Sequence, residues 1–196
     1  MQLDLFGRGT PAFDAEFSRL LRRELRDGAW VDHQVRFVAG HDALFAELEQ
    51  TLPWHTESRA MYDRIVETPR LLARLQPAGL VEELRRALSA RYRIDFVHVT
   101  AALYRDGNDS VAWHGDTTAR DLPEAIVATI SLGEPRRFLL RPTDGGASIA
   151  YDLGCGDLIV MGGSCQRTWR HSIPKVAHAG PRIALMFRHA YHSSSS

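Results

Sequence analysis

Apolar residues in the first half of the chain recur at helical spacing. Phe13, Phe17, Leu20, Leu21 and Leu25 fall on one face of a helix predicted over 13–26, with Thr10 and Pro11 as start signals. Residues 30–38, with Trp30, Val31, Val35, Phe37 and Val38, read as a strand. A short helix is expected over 43–52, and Leu80, Val81, Leu84, Ala87 and Leu88 mark an amphipathic helix running to about Arg91. Beyond it the pattern changes to short apolar runs at 96–104, 125–131, 137–141, 149–153, 157–161, 167–171 and 183–187. Turn residues separate them: Asp106-Gly107-Asn108, Gly133-Glu134-Pro135, Asp144-Gly145-Gly146, Gly154-Cys155-Gly156 and Gly162-Gly163. Helices followed by regularly spaced strands describe an α+β domain whose second half is a β-sandwich or jelly roll. The expected division is an N-terminal helical extension over 1–92, a strand-rich core over 93–192 and a disordered tail at 193–196, with a flexible lead-in over the first ten residues.

Composition adds limits. A chain of 196 residues with 44% hydrophobic and 24% charged residues is long enough to bury one substantial core. No apolar run approaches the ~20 residues that cross a bilayer, so no membrane association is expected. The start, Met1-Gln2-Leu3-Asp4-Leu5-Phe6, lacks the pattern of an export signal. A cytoplasmic location with Cys155 and Cys165 as free thiols is the corresponding expectation. Acidic and basic residues balance at 24 each, which argues against bulk electrostatic attraction to nucleic acid while leaving room for a local basic groove. Lys175 is the single lysine; the other cations are arginines.

The chemistry is carried by His114-Gly115-Asp116, the later His171, and Arg182 and Arg188. Two imidazoles and one carboxylate form the ligand set that holds a non-haem Fe(II) on one face and leaves the opposite positions open. On a strand, His114 and Asp116 would share a face, and a rolled sheet would bring His171 to them. An arginine after the distal histidine suits a carboxylate held through paired hydrogen bonds. Iron with a clamped carboxylate suggests a 2-oxoglutarate-dependent oxygenase.

A wider series carries a family resemblance. Tyr104-Arg105-Asp106-Gly107, Trp113-His114-Gly115-Asp116, Ser131-Leu132-Gly133, 156–163 (GDLIVMGG), His171 and 182–188 (RIALMFR) occur in the order of the AlkB-type family, with weaker support from Trp54 and Pro69-Arg70-Leu71. The chain thus resembles Fe(II)- and 2-oxoglutarate-dependent dioxygenases that remove alkyl lesions from nucleic-acid bases. The resemblance implies a double-stranded β-helix (jelly-roll) core with N-terminal helices and a nucleotide-recognition lid. It implies His114, Asp116 and His171 as iron ligands, and Tyr104, Arg182 and Arg188 around 2-oxoglutarate. The cosubstrates would be 2-oxoglutarate and O2, and the partner alkylated DNA, with RNA as a further substrate class. A target base must leave its stack to reach a buried metal, so Trp54 and Tyr62 are expected as stacking platforms. Arg70 is expected at phosphates, and Arg137, following Arg136, on the substrate side.

The chain also departs from the family pattern. Ala184 and Met186 stand where the family's closing strand carries Asn and Thr, and Ala102 where an Asn often precedes the tyrosine. Two residues after Asp116, where some members place a second carboxylate, the chain has Thr118. A hydroxyl does not offset a cationic methylated base, which leaves uncharged lesions such as exocyclic adducts open. Two other readings stay open: an oxygenase acting on a protein, lipid or small molecule, and a non-catalytic β-barrel binding module.

Overall fold

The computed structural model describes residues 9–61, 64–116, 122 and 124–189. The N-terminal part holds β1 (Ala12–Phe13), β2 (Leu21–Glu24), β3 (Ala29–Gln34), β4 (Val38–Ala39), α1 (His41–Thr51), β5 (His55–Met61), β6 (Arg64–Leu75) and α2 (Gly79–Tyr92). The C-terminal part holds β7 (His98–Tyr104), β8 (Val111–His114), β9 (Val127–Gly133), β10 (Arg136–Pro142) and β11 (Ile149–Leu153). After these come β12 (Asp157–Gly163), the single-turn α3 (Cys165–Thr168), β13 (Trp169–Ile173) and β14 (Arg182–Arg188).

Eight strands form a major sheet in the order β2-β3-β12-β9-β14-β7-β6-β5, and four form a minor sheet in the order β11-β10-β13-β8. Every pairing is antiparallel. Side-chain alternation gives the major sheet two apolar faces. On β14, Ile183, Leu185 and Phe187 join Leu44, Leu84 and Leu88 of the helices. Ala184 and Met186 turn the other way, toward Phe138, Leu140, Trp169 and Ile173 of the minor sheet. Helices therefore cover one face of the large sheet and the small sheet covers the other. Between the sheets lies the interior of a jelly roll. The central strand β12 is buried along its whole length because both of its faces are covered, as is most of β9. The turn between β11 and β12 needs Gly156: its φ is +84°, and a Cβ there would stand 2.1 Å from the Val38 carbonyl oxygen.

The helices expected over 43–52 and 80–91 are present as α1 and α2, and the expected strands of the second half form within a few residues. The helix expected over 13–26 does not form. Phe13 and Phe17 instead pack on Phe37, with ring centroids 5.7 and 5.1 Å away. The Asp14 carboxylate accepts hydrogen bonds from the Ser18 backbone N–H and hydroxyl, which closes a turn. Leu25 reaches the sheet interior while Leu21 is left in solvent, 74% exposed. Residues that share a helical face in the sequence thus serve two different cores and the surface, and pairing of β2 with β3 decides their conformation. Residues 55–75, for which the sequence predicts no helix or strand, form a long hairpin that extends the major sheet through β6 and β7. The tail at 193–196 and most of the lead-in lie outside the described residues. Among the described residues no helix is long and apolar enough to cross a membrane.

Candidate active site

The interior narrows to a cluster of ionisable side chains at the β8 and β13 edge of the minor sheet. His114 and His171 are direct neighbours across these strands, with ring centroids 4.3 Å apart. Strand β8 ends at His114, so Asp116 reaches the cluster from the loop beyond the strand rather than by strand alternation. Gly115 makes that loop possible: a Cβ would stand 2.5 Å from the Gln166 carbonyl oxygen. The Gln166 side chain in turn accepts a hydrogen bond from the Asp116 N–H at 3.0 Å. The metal-binding atoms of His114, Asp116 and His171 all lie within 4.8 Å of one another.

Electrostatics prepare these groups for a cation. Burial pushes the His171 imidazole down to about 3, and the adjacent His114 adds to the effect. His171 is therefore neutral, the form that ligates a metal. The Phe138 ring stacks on it at 5.3 Å and fixes its plane. The Nδ1 atom of His114 lies 2.8 Å from the Ala112 carbonyl oxygen, which places the ring proton there and the lone pair on Nε2. Burial opposes ionisation of Asp116, yet Arg188 and the two imidazoles hold its carboxyl below the ordinary value. Arg188 donates to Asp116 Oδ2 at 2.6 Å and to Thr100 Oγ1 at 2.8 Å. Two imidazoles and an oriented carboxylate fit a divalent first-row metal such as Fe(II).

Arg182, at the other end of β14, faces the same interior and is only 1% exposed. Its Nη2 donates to Ser131 Oγ at 2.7 Å, and its guanidinium carbon lies 5.2 Å from the centre of the Tyr104 ring. The Nε and Nη1 atoms are buried without a hydrogen-bond partner. A buried cation with two orphaned donors calls for an anion, and a carboxylate of 2-oxoglutarate is one that fits. The strand register explains the convergence. Arg182 lies opposite Tyr104 on β7 and Gly133 on β9, and the next inward positions pair Ala184 with Ala102 and Ser131. The small residues at 102 and 184 bring no polar side chain here, so the polar groups at this end are Arg182, Tyr104 and Ser131, with Arg136 and Arg70 beside the tyrosine ring.

A family model described as the 2OG-Fe(II) oxygenase superfamily matches residues 14–188. The chain belongs to the 2OG-Fe(II) oxygenase superfamily. As a member it uses Fe(II), 2-oxoglutarate and O2. The AlkB-type resemblance is borne out among its curated relatives. Human alpha-ketoglutarate-dependent dioxygenase alkB homolog 3 is 28% identical over 76% of this oxygenase and 62% of the relative. Mouse DNA oxidative demethylase ALKBH2 is 27% identical over 85% of this chain and 82% of the relative. The oxygenase thus spans somewhat under two thirds of the length of the alkB homolog 3 proteins it matches. Among solved structures, OsALKBH1 superposes with a TM-score of 0.60 over 87% of this chain and all of the other, at 13% identity. A Burkholderia pseudomallei 2OG-Fe(II) family oxidoreductase gives 0.53 over 76% and 78%, at 16% identity. These two likenesses support the jelly-roll fold.

The expected substrate residues fare differently from the oxygenase core. Trp54 stands on the helix-covered face: its ring packs against that core and its Nε1 donates to the Glu49 carbonyl oxygen at 2.9 Å. It anchors the end of α1 instead of facing the metal. Arg137 points out of the minor sheet opposite Asp152, because inward positions on β10 alternate through Arg136, Phe138 and Leu140. Arg136 is the inward neighbour. It donates to the carbonyl oxygens of Asp106, Asp109 and Pro174, each at 2.9 Å, and ties the loops after β7 and β13 together. Arg70, expected at phosphates, turns inward, with its guanidinium carbon 6.0 Å from the centre of the Tyr104 ring. Its Nε and Nη1 are buried and unpartnered. Tyr62 and Thr118 lie outside the described residues.

Sequence reasoning missed Gln166 and Phe138, which orient the ligand loop and His171, and gave Ser131 of the motif series no role, although it holds Arg182. No local pattern marks Gln166 or Phe138, because each acts on a residue that only strand packing brings close.

Proposed function

We propose that this oxygenase removes alkyl groups from nucleic-acid bases, acting on DNA and also accepting RNA. The observation that carries the oxygenase part is one interior holding both the His114, Asp116 and His171 cluster and the orphaned guanidinium of Arg182. The named activities of the AlkB-type relatives support the nucleic-acid part.

When bound, Fe(II), 2-oxoglutarate and O2 supply the oxidation: the keto acid becomes succinate and CO2 while a C–H bond of the substrate gains oxygen. A hydroxylated N-alkyl group then separates as an aldehyde and returns the unmodified base. The protein's residues set where this happens. His114, Asp116 and His171 would hold the metal, and Arg188 keeps Asp116 ionised and aimed. Arg182 and Tyr104 would bind the distal carboxylate of 2-oxoglutarate. Phe138, Ile173 and Trp169 form an apolar wall that excludes water from the interior. Arg70 adds a third guanidinium beside Tyr104, after Arg182 and Arg136, where it would meet the cosubstrate or an incoming base.

The test is release of formaldehyde and succinate. Protein loaded anaerobically with Fe(II) and 2-oxoglutarate is exposed to O2 with methylated and etheno-modified oligonucleotides, with His171→Ala as blank. Lesion-dependent succinate absent from the variant is the expected result. Succinate that ignores the lesion would leave an oxygenase of another substrate. No turnover and no bound Fe(II) would leave a binding module.

A further inference from the structure

Three arginines on the outside of the minor sheet have no part in the interior chemistry. Arg141 on β10 and Arg170 on β13 are direct cross-strand partners. Arg167, in the last turn of α3, is exposed beside them. None of the three forms an ion pair among the described residues, although acidic residues equal basic ones in the whole chain. Asp144, two residues beyond β10, pairs with Arg26, and Asp152 lies opposite Arg137. Like charges placed directly opposite on neighbouring strands destabilise a sheet. That cost disappears when an anion bridges them. Arg141 is held in place, its guanidinium carbon 4.1 Å from the centre of the Trp113 ring, one residue before the metal ligand His114.

Beside this group runs a groove of about 340 Å³ lined by Gly115, Thr143, Gln166, Arg167, Trp169 and Arg170. One wall is Gly115, between His114 and Asp116, so the groove and the metal loop share a backbone segment. Another is Gln166, which holds the Asp116 N–H. Whatever lies in the groove therefore lies against the back of the metal loop.

We propose that this outer groove, with Arg141, Arg167 and Arg170, binds the phosphate backbone of the nucleic-acid strand next to the nucleotide at the metal. The inference rests on the nucleic-acid reading above and adds to it a second contact surface, whose arginines face away from the interior. Planar guanidinium forks match phosphate oxygens through paired hydrogen bonds, and a row of them matches a repeating phosphate chain better than an isolated carboxylate. Contacts of this kind set affinity and position but carry no sequence information.

The test is the salt dependence of binding, read by fluorescence anisotropy with a labelled unmodified single-stranded oligonucleotide. Each phosphate neutralised on a single strand contributes ~0.7 to the slope of log affinity against log salt. The paired variant Arg167→Gln with Arg170→Gln should lower that slope by ~1.4 and weaken binding about 25-fold at ~0.1 M salt. Arg167→Lys with Arg170→Lys keeps the charges and should retain the slope. Arg137→Gln removes a charge from the same sheet face, opposite Asp152, and should leave it unchanged. An unchanged slope in the Gln pair overturns the groove while the nucleic-acid reading stands. A Lys pair that loses the slope as fully as the Gln pair makes the arginines structural and also overturns it. A wild-type protein that binds no oligonucleotide, or prefers an acidic polypeptide of equal charge, overturns both.

Discussion

Replacing Arg182 with Met separates the cosubstrate site from the scaffold. In the free protein the guanidinium is 1% exposed, touches the Ser131 hydroxyl and the Tyr104 ring, and leaves Nε and Nη1 without partners. Methionine has similar length and no charge to desolvate, so the variant should melt close to or above the wild type without 2-oxoglutarate. Bound carboxylate changes the balance. Two charge-assisted hydrogen bonds to the orphaned donors are worth ~1.5–3 kcal/mol each, so their loss should raise the Kd for 2-oxoglutarate ~10²–10⁴-fold. At a concentration ~100 times the wild-type Kd, linkage stabilises the native wild type by ~2.7 kcal/mol. For a domain of this size that is a rise of ~5–11 °C in Tm. In the variant the same concentration is at or below the Kd, which leaves ~0.4 kcal/mol and ~1–2 °C. Thermal melts with Fe(II) or a redox-inert divalent metal, with and without 2-oxoglutarate, measure both quantities. A Met variant that keeps the full ligand-dependent shift would place the carboxylate elsewhere, with Arg70 the next group to examine. A variant that loses several kcal/mol without ligand would make Arg182 a scaffold element and refute the reasoning.

His171→Ala removes one of the three proposed metal donors and should lower Fe(II) affinity by more than the ~10–100-fold that losing a supporting hydrogen bond costs, as measured by bound iron after gel filtration. Gly115→Ala forces a Cβ to within 2.5 Å of the Gln166 backbone oxygen, so the loop must shift. A loss of ~1–3 kcal/mol in stability together with reduced iron content is expected, read from melts and metal analysis. Phe138→Ala should cost ~3–5 kcal/mol, because its buried ring stacks on His171. Arg137→Ala, one residue away on the outward face, should stay within ~0.5 kcal/mol of wild type in denaturant unfolding and leave turnover unchanged.

Most strands of the second half were legible because they bury at least one face, and a period of two or an unbroken apolar run records that directly; β8, with no fully buried residue, is not among the predicted strands. The same regularity made the ordered motif series readable, since its members sit at fixed positions on those strands. Helix 13–26 was misread for the opposite reason. Its apolar residues are spaced for one helix, but Phe17 is drawn to Phe37 and Leu25 to the sheet interior, and no local pattern encodes that competition. Arg137 is expected at the substrate because it follows the Gly133 turn, and Trp54 because a flipped base needs an aromatic platform, whereas strand alternation and the closing turn of α1 turn them elsewhere.

By itself, the sequence determined the chemistry: which imidazoles, carboxylate and guanidinium groups exist, and that strands would carry most of them. Only the tertiary structure decided their partners. It set His171 across from His114, seated Arg182 beside Tyr104 with two donors unpaired, and placed Arg141 opposite Arg170 on the outer face. Antiparallel register between strands far apart in the chain fixes those neighbours. Register depends on how both faces of the two sheets are covered at once, a property of the packed molecule that no single segment contains.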